Sequence, residues 1–202
     1  MKKIILIGAG GHAKSCIDVI ELQNKYKIIG LIDNKKKKKL MQYKVLGNDN
    51  VFKKLLLKEK NLNALISIGQ IKSSAIREKL FNKLKKIGIK FPTLISPLAY
   101  VSKNTTIGEG TIVMHGAIIN AGVSIGKNCI INSKALIEHD VHIGDHCHIS
   151  TNSTVNGNVS IDSNSFVGSS ATLKQGIIIG KNCFINANLY QIKNLKNNSK
   201  IL

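Results

Sequence analysis

The sequence predicts a small α/β domain followed by a parallel β-helix. In the second half of the chain, sixteen consecutive blocks of six residues, from Ile95 to Tyr190, each begin with Ile, Val or Leu. In the first half, the aliphatic run Lys3–Ile7 is followed by a glycine-rich turn and then by apolar residues at helical spacing. A strand, a glycine turn and a helix in this order present main-chain N–H groups to a phosphate.

The hexads determine the fold of the second half. A repeat of six residues fits a β-helix, in which each hexad is one short strand and a turn. The aliphatic first residue points inward, and the fifth place is nearly always small. Cys129, Cys147 and Cys183 take that place, so we interpret them as core residues and not as disulfide partners. Gly and Asn at the second and fourth places suit turns with positive φ.

The N-terminal half indicates half of a dinucleotide-binding fold. Strands are expected at Lys3–Ile7 and Ile28–Ile32, and Asp33 follows the second at a distance where an acid commonly contacts a ribose hydroxyl. This motif alone indicates NAD. Only one further good strand follows, Ala64–Ile68, which ends at Gly69. We therefore expect room for one nucleotide.

The remaining elements of this half are weaker. Edge strands are expected near Tyr43–Leu46 and Lys90–Leu94. Helices are expected at 50–60, capped by Asn48 or Asp49, and at 73–87. The lysine run 35–39 is either a solvated loop or a segment that steers a diphosphate. Two prolines then mark a boundary, so we predict domains at 1–92 and 93–202.

The amino-acid composition indicates which kinds of binding partner to expect. The net charge is +19, but 29 of the 30 basic residues are Lys, Arg77 is the single arginine, and aromatic residues make up only 4%. This balance is more typical of a coding bias than of a nucleic-acid-binding surface, so we expect no nucleic-acid partner. No apolar run reaches 18 residues, and the apolar N-terminal stretch is too short for a signal peptide. We expect no membrane span and a cytoplasmic location.

Five of the six histidines lie in the repeat, and two of them, His146 and His148, flank Cys147. Histidine and cysteine side chains close together in the sequence are typical zinc ligands. Because neighbouring hexads form different faces of a prism, these side chains are expected to fan out around it, and Cys147 to point inward. We therefore predict no metal site.

The order of the motifs resembles the hexapeptide-repeat sugar acetyltransferases of the bacillosamine and sialic-acid type. The motifs are GAGGHA at 8–13, IDN at 32–34, IGQ at 68–70 and IEHDVHIGDHCHIS at 137–150. The resemblance covers essentially the whole chain. It implies a left-handed β-helix with three hexads per coil, a homotrimer, and acetyl-CoA as co-substrate. It also implies N-acetylation of a UDP-linked 4-amino-4,6-dideoxy sugar.

The resemblance implies a role for each candidate residue. His139 is the general base, and Asp140 holds its second ring nitrogen, with Glu138 as the alternative. Other candidates contact the nucleotide sugar: Gly10, Gly11, His12, Gly69 and, at the uridine, Asp33 and Asn34. A third group contacts the cofactor: His148, Ser169 and Ala187. The period adds support, because residues 18 apart stack in adjacent coils, and a column of small residues leaves room for the pantetheine arm.

Three alternatives stay open. The first is an O-acetyltransferase for sialic-type sugars, which would use the same base on a hydroxyl. The second is a non-catalytic protein that binds a nucleotide sugar. Its support is the lack of the G-x-P-A-K segment that usually follows the last coil in relatives. The third is an NAD-binding protein.

Overall fold

The computed structural model describes residues 1–35, 38–48, 50–59 and 61–202. Its first part is an α/β domain with one five-stranded sheet in the order β3-β4-β2-β1-β5. The strands are β1 Lys2–Ile7, β2 Tyr26–Ile32, β3 Lys39–Leu40, β4 Tyr43–Gly47 and β5 Asn63–Ile66. All pairings are parallel except that of β3 with β4. The carboxyl ends of β1, β2 and β5 therefore meet at one edge.

The described residues of this domain form three helices: α1 Gly11–Gln23, α2 Val51–Lys58 and α3 Ala75–Lys86. The two later helices confirm the prediction, with slightly shorter ends. The predicted strand at Lys90–Leu94 is wrong: Lys90 forms only an isolated bridge with Asn63, and Leu94 opens the β-helix. Residues 36 and 37 of the lysine run and the predicted cap Asp49 lie outside the described residues. No helix in the described ranges is long and apolar enough to cross a membrane.

The second part is a β-helix with three flat faces, each a parallel sheet. Face A has the order β23-β21-β18-β15-β12-β9-β6, face B β22-β19-β16-β13-β10-β7 and face C β20-β17-β14-β11-β8. Each strand has two residues, and most pair with the strand eighteen residues away, as Ile118 does with Leu136. Strands β6 to β23 are, in order, Leu94–Ile95, Tyr100–Val101, Thr106–Ile107, Ile112–Val113, Ile118–Ile119, Ser124–Ile125, Ile130–Ile131, Leu136–Ile137, His142–Ile143, His148–Ile149, Thr154–Val155, Ser160–Ile161, Phe166–Val167, Thr172–Leu173, Ile178–Ile179, Phe184–Ile185, Tyr190–Gln191 and Lys200–Ile201.

The interior of the prism confirms the hexad pattern. Its core is formed by first-place aliphatic residues together with fifth-place residues, which are small except in one column of Val123, Val141, Val159 and Ile177. The three cysteines of the repeat are buried free thiols. Polar fifth-place residues are satisfied inside: Thr111 donates its hydroxyl to the Gly126 carbonyl and accepts the Cys129 N–H. Small side chains therefore close the ladder where the prism narrows.

The corners correct one part of the prediction. Positive φ occurs at the fourth place, as at Asn128 and Gly122, but not at the second. Second-place glycines are required by close approach instead. A Cβ on Gly108 would lie 2.6 Å from the Gly126 carbonyl carbon, and one on Gly144 2.7 Å from the Ser163 nitrogen. Adjacent coils thus pack main chain against main chain at these points.

The last coil differs from the others. β23 pairs with β21 so that Phe184 faces Lys200 and Ile185 faces Ile201, sixteen residues apart instead of eighteen. Leu195 bridges to Ile179 at the same spacing. Residues 192–202 thus continue the prism beyond the predicted sixteen hexads.

The two domains share a core. The outer side of face A presents Leu94, Ile112 and Ile130, which pack in one cluster with the buried side of α1. That side of α1 carries Ala13, Cys16, Ile17 and Ile20. The edge of the sheet where β1, β2 and β5 end is therefore held at a fixed place beside the β-helix.

Candidate functional site

A cavity of about 810 Å³ lies at the carboxyl edge of the α/β sheet. Its size is typical of a small-molecule site. The six residues predicted to bind the nucleotide sugar all line it: Gly10, Gly11, His12, Asp33, Asn34 and Gly69. They come together because three parallel strands end at the same edge.

The glycine loop gives this cavity an open floor. Gly8 has φ of 109°, and a Cβ there would lie 2.6 Å from Ile68. At Gly10 and Gly11 a Cβ would meet nothing within 4 Å. Helix α1 begins at Gly11, so its first N–H groups are available to an anion such as a diphosphate.

Asp33 holds the loop in this shape. One carboxylate oxygen accepts the Ala9 N–H at 2.6 Å and the other accepts the Lys35 N–H at 2.7 Å. The carboxylate thus joins the ends of β1 and β2, a function that the sequence motif did not indicate. Asn34 is exposed on the rim of the same cavity.

His12 forms the inner wall. Burial, with the nearby charge of Arg77, lowers its pKa to about 3, so the ring is neutral at physiological pH. Gly69 lies against it, since a Cβ on Gly69 would be 3.6 Å from the Cβ of His12. The neutral ring adds no charge to this wall of the cavity, and its Nε2 is buried without a hydrogen-bond partner among the described residues.

His139 lies on a corner of the β-helix, between β13 on face B and β14 on face C. Its side chain is 58% exposed, and its Nδ1 lies 2.9 Å from a carboxylate oxygen of Asp140. Glu138, the alternative partner, instead accepts the Asn120 side-chain amide at 2.8 Å. The Asp140 contact fixes the proton on Nδ1 and leaves the lone pair of Nε2 to act as a base.

Two glycines, which the sequence reasoning missed, make room for this pair. A Cβ on Gly157 would lie 2.7 Å from Nε2 of His139. A Cβ on Gly122 would lie 2.3 Å from Oδ1 of Asp140. Each glycine is eighteen residues from its partner, so the stacking period was the signal that could have found them.

His148 lies elsewhere, on the outer side of face A. It is 6% exposed, and its Nδ1 donates to the Gln70 carbonyl at 2.5 Å. Its Nε2 lies 3.2 Å from the Asn132 amide nitrogen. Burial lowers its pKa to about 4. Both ring nitrogens therefore have partners in the seam between the domains.

Ser169 and Ala187, the other predicted cofactor residues, lie one above the other on the corner between faces A and B. The Ser169 hydroxyl lies 3.0 Å from that of Ser150, and the Ala187 N–H donates to the Asn186 side chain at 2.9 Å. Within one chain, the predicted site residues thus occupy three places: the cavity with the adjoining seam, the His139 corner, and this corner.

His115 lies lower on the same corner. Its Nδ1 is 2.7 Å from the Ser96 hydroxyl and its Nε2 2.9 Å from a carboxylate oxygen of Asp18. The order of residue types is that of a hydrolase triad. However, Ser96 is buried and its oxygen accepts the Leu98 N–H, so the group ties α1 to the β-helix and presents no nucleophile.

The described part of the chain contains no group of three or more His, Cys, Asp or Glu side chains that could hold a metal ion. His139 and His146 lie on different corners, and His142 and His148 on different faces. Cys147 is buried inside the prism.

Three family models match the chain. The PglD N-terminal domain matches residues 3–84, the bacterial transferase hexapeptide matches 104–139 and 122–157, and the hexapeptide repeat of succinyl-transferase matches 158–190. The boundary between the first and second models falls between the α/β domain and the β-helix.

One curated relative is the UDP-N-acetylbacillosamine N-acetyltransferase of Bacillus subtilis (strain 168). The match is 34% identical over an alignment of 127 residues and covers 56% of this chain and 52% of that protein. The match thus spans about half the length of that relative.

Two solved structures cover nearly the whole chain. The acetyltransferase domain of PglB from Neisseria gonorrhoeae FA1090, in complex with acetyl coenzyme A, is 25% identical with a TM-score of 0.91, and the match covers 98% of this chain and 95% of that one. A mutant of perosamine N-acetyltransferase from Caulobacter crescentus, in complex with CoA and GDP-perosamine, is 28% identical with a TM-score of 0.92, covering 99% and 93%.

These likenesses confirm the predicted resemblance to hexapeptide-repeat sugar acetyltransferases. They also confirm the predicted fold, an α/β domain followed by a left-handed β-helix. They agree with the predicted acetyltransferase activity and with acetyl-CoA as co-substrate.

Proposed function

We propose, from this kinship with sugar N-acetyltransferases, that the protein transfers an acetyl group from acetyl-CoA to the amino group of a nucleotide-linked sugar. The observation that carries the proposal is the His139–Asp140 pair on an exposed hexapeptide corner. The glycine-loop cavity supports it, since its floor suits a diphosphate. The finer substrate we propose is a UDP-linked 4-amino-4,6-dideoxy sugar.

In the proposed reaction, His139 is the general base. The amine nitrogen attacks the thioester carbonyl carbon, and a C–N bond forms while the carbonyl electron pair moves to oxygen. Nε2 of His139 takes the proton that the nitrogen loses, and Asp140 stabilises the imidazolium through Nδ1. Main-chain N–H groups of the corner stabilise the oxyanion. Collapse then breaks the C–S bond, and the thiolate of CoA takes the proton back from His139.

We propose that the cofactor lies along the small-residue column at Ser169 and Ala187. His148 has its ring nitrogens engaged in the seam, so in this proposal it supports the wall of the site through Gln70. The separation of the cavity from the His139 corner within one chain supports a homotrimer in which neighbouring subunits complete each site.

The role of His139 is tested by His139→Asn, with His142→Asn as the matched control. His142 is an exposed histidine three residues away, and its Nδ1 contacts the Ser124 hydroxyl at 2.8 Å. We expect His139→Asn to lower turnover by about 10²- to 10⁴-fold with unchanged melting temperature, and His142→Asn to keep wild-type turnover. Equal turnover in both variants would refute the assignment.

The substrate class is tested by thiol release from acetyl-CoA with a panel of acceptors. The panel contains UDP- and GDP-linked 4-amino sugars and their 4-hydroxy counterparts. We expect release with a UDP-linked amino sugar. Release only with a hydroxy acceptor would replace the proposal with O-acetylation. UDP-sugar binding without any release would replace it with a non-catalytic binding protein.

A further inference from the structure

The single arginine of the chain lies in the seam between the two domains. Arg77, on α3, is 1% exposed. Its Nη1 donates to the carbonyls of Ile66 and Ile68, each at 2.7 Å. Its Nη2 donates to the carbonyl and side-chain oxygens of Asn128, at 3.0 and 2.9 Å. One guanidinium therefore joins the carboxyl end of β5 to the β-helix.

This arrangement is costly for a contact that only holds the fold together. Burial lowers the pKa of Arg77 to about 10, so the group stays charged at neutral pH. The four oxygens named above are all uncharged. A buried charge of this kind is seldom more stabilising than apolar packing. Only the planar fork of an arginine can donate to two carbonyls on one side and two oxygens on the other.

The two ends of this contact lie at the two parts of the proposed site. Ile68 and Gly69 line the nucleotide cavity. Asn128 begins the coil that carries His139, and His146 takes the same place in the next coil. The Asn128 amide lies 2.9 Å from Nδ1 of His146. Arg77 therefore joins the cavity wall to that coil directly.

Gln70 reinforces the same connection. Its side-chain amide donates to the His146 carbonyl at 2.9 Å, and its own carbonyl accepts from His148 at 2.5 Å. The segment that ends β5 is thus attached to one corner at residues 128 and 146, in consecutive coils. Such double attachment fixes orientation as well as distance.

We propose that Arg77 is a positioning residue that sets the nucleotide cavity relative to the β-helix and so, in the proposed homotrimer, relative to the catalytic histidine that completes its site. The inference rests on the proposed function, because it assumes that a sugar held in the cavity must reach an acetyl group held on the β-helix. Arg77 touches neither substrate. It acts by holding two binding surfaces at the separation at which their ligands react, and a shift of about 1 Å can cost about 100-fold in rate.

The first test variant is Arg77→Lys, which keeps the charge but has too few donors for the four acceptors. The second is Asn128→Gly, which removes the side-chain acceptor and suits the φ of 52° at this position. The matched control is Asn198→Gly, since Asn198 has φ of 63° on the same corner and its side chain accepts a hydrogen bond from the Asn182 amide, far from Arg77 along the prism. If Arg77→Lys fails to fold, Asn128→Gly carries the test alone.

The readouts separate positioning from folding. Calorimetry measures UDP binding and CoA binding separately, and steady-state kinetics measure kcat and KM. We expect both variants to bind each ligand as the wild type does and to keep its KM. We expect kcat to fall about 100-fold in Arg77→Lys and by less in Asn128→Gly. Wild-type kcat in both variants overturns the proposal, as does a loss of ligand binding that parallels the loss of kcat.

A distance measurement decides the inference even if no acceptor is found. All four native cysteines are buried, so spin labels can be placed on Lys14→Cys in α1 and Lys174→Cys on the β-helix, both exposed positions. We expect a broader or shifted distance distribution in Asn128→Gly and none in Asn198→Gly. If the wild type transfers no acetyl group, the proposed function fails. An unchanged distribution in Asn128→Gly overturns the positioning role.

Discussion

Substitution of Gly157 by alanine tests whether the space beside Gly157, which the His139 ring occupies, is needed for catalysis. The new Cβ would lie 2.7 Å from Nε2, 2.8 Å from Cε1 and 3.3 Å from Cδ2 of His139. Ordinary contact begins at 3.4 Å, so the ring must move by at least about 0.7 Å. A displacement of this size at a reacting atom costs on the order of 100-fold in rate.

The fold should tolerate the same change. The φ of Gly157 is not in the left-handed region, so alanine is allowed, and His139 is exposed and can swing away. We expect kcat to fall about 30- to 100-fold and the melting temperature to stay at the wild-type value. The assays are thiol release from acetyl-CoA and thermal unfolding followed by circular dichroism.

The matched control is Gln175→Ala, one coil further along the same corner, where the side chain is exposed. It should keep wild-type kcat. Full activity in Gly157→Ala would show that the ring position seen here does not matter for the reaction, and the reasoning would fail. A drop in melting temperature that accounts for the lost activity would equally refute it.

Two further predictions concern stability. The pKa of His148 is lowered to about 4 in the fold and is about 6.5 unfolded, so the unfolded chain binds the extra proton. The free energy of unfolding should therefore fall as pH falls from about 6.5 to 4. Urea titrations at pH 7.5 and 5 should show a smaller acid loss in His148→Asn than in the wild type, and equal losses would contradict this origin. Thr111→Val should lower the free energy of unfolding by about 1–3 kcal/mol, because the Cys129 N–H and the Gly126 carbonyl lose a buried partner. Chemical denaturation measures this against Thr154→Val, a half-exposed position on face B, where a loss of equal size would sink the explanation.

The β-helix could be predicted almost residue by residue because its period is set by the chain itself. Once Ile95 is assigned to the interior, every sixth residue after it is also predicted to point inward, and the cysteines at the fifth place are predicted to be buried, as they are. The last coil escaped the prediction because it is two residues short, so that a count of six from Gln191 falls on Asn197 instead of on Leu195, which bridges to Ile179. The reason for the second-place glycines also escaped it, since close approach between coils has no local signature in φ.

The candidate site, like the β-helix, could be predicted only in part. The cavity residues could be predicted because a glycine turn and two strand ends must meet at one edge of a parallel sheet. The roles of Gly157 and Arg77 could not be predicted from the sequence. Gly157 contacts the His139 ring because the two residues, eighteen apart, stack in adjacent coils, and the local sequence around Gly157 does not show this. That of Arg77 depends on how one domain docks on the other, which no local pattern in the chain encodes.

The coiled construction has a consequence for how such a site can change. Successive coils are separated by the spacing of hydrogen-bonded strands, about 4.8 Å. Inserting a full coil of eighteen residues between Asn128 and His139 would carry the histidine along the prism axis by that step and keep it on its corner. An insertion of any other length would rotate it to a different face or into the core. Changes in the number of coils can therefore alter the distance between the nucleotide cavity and the base only in whole steps of this size. Smaller changes in that distance must come from the contact between the two domains that Arg77 holds.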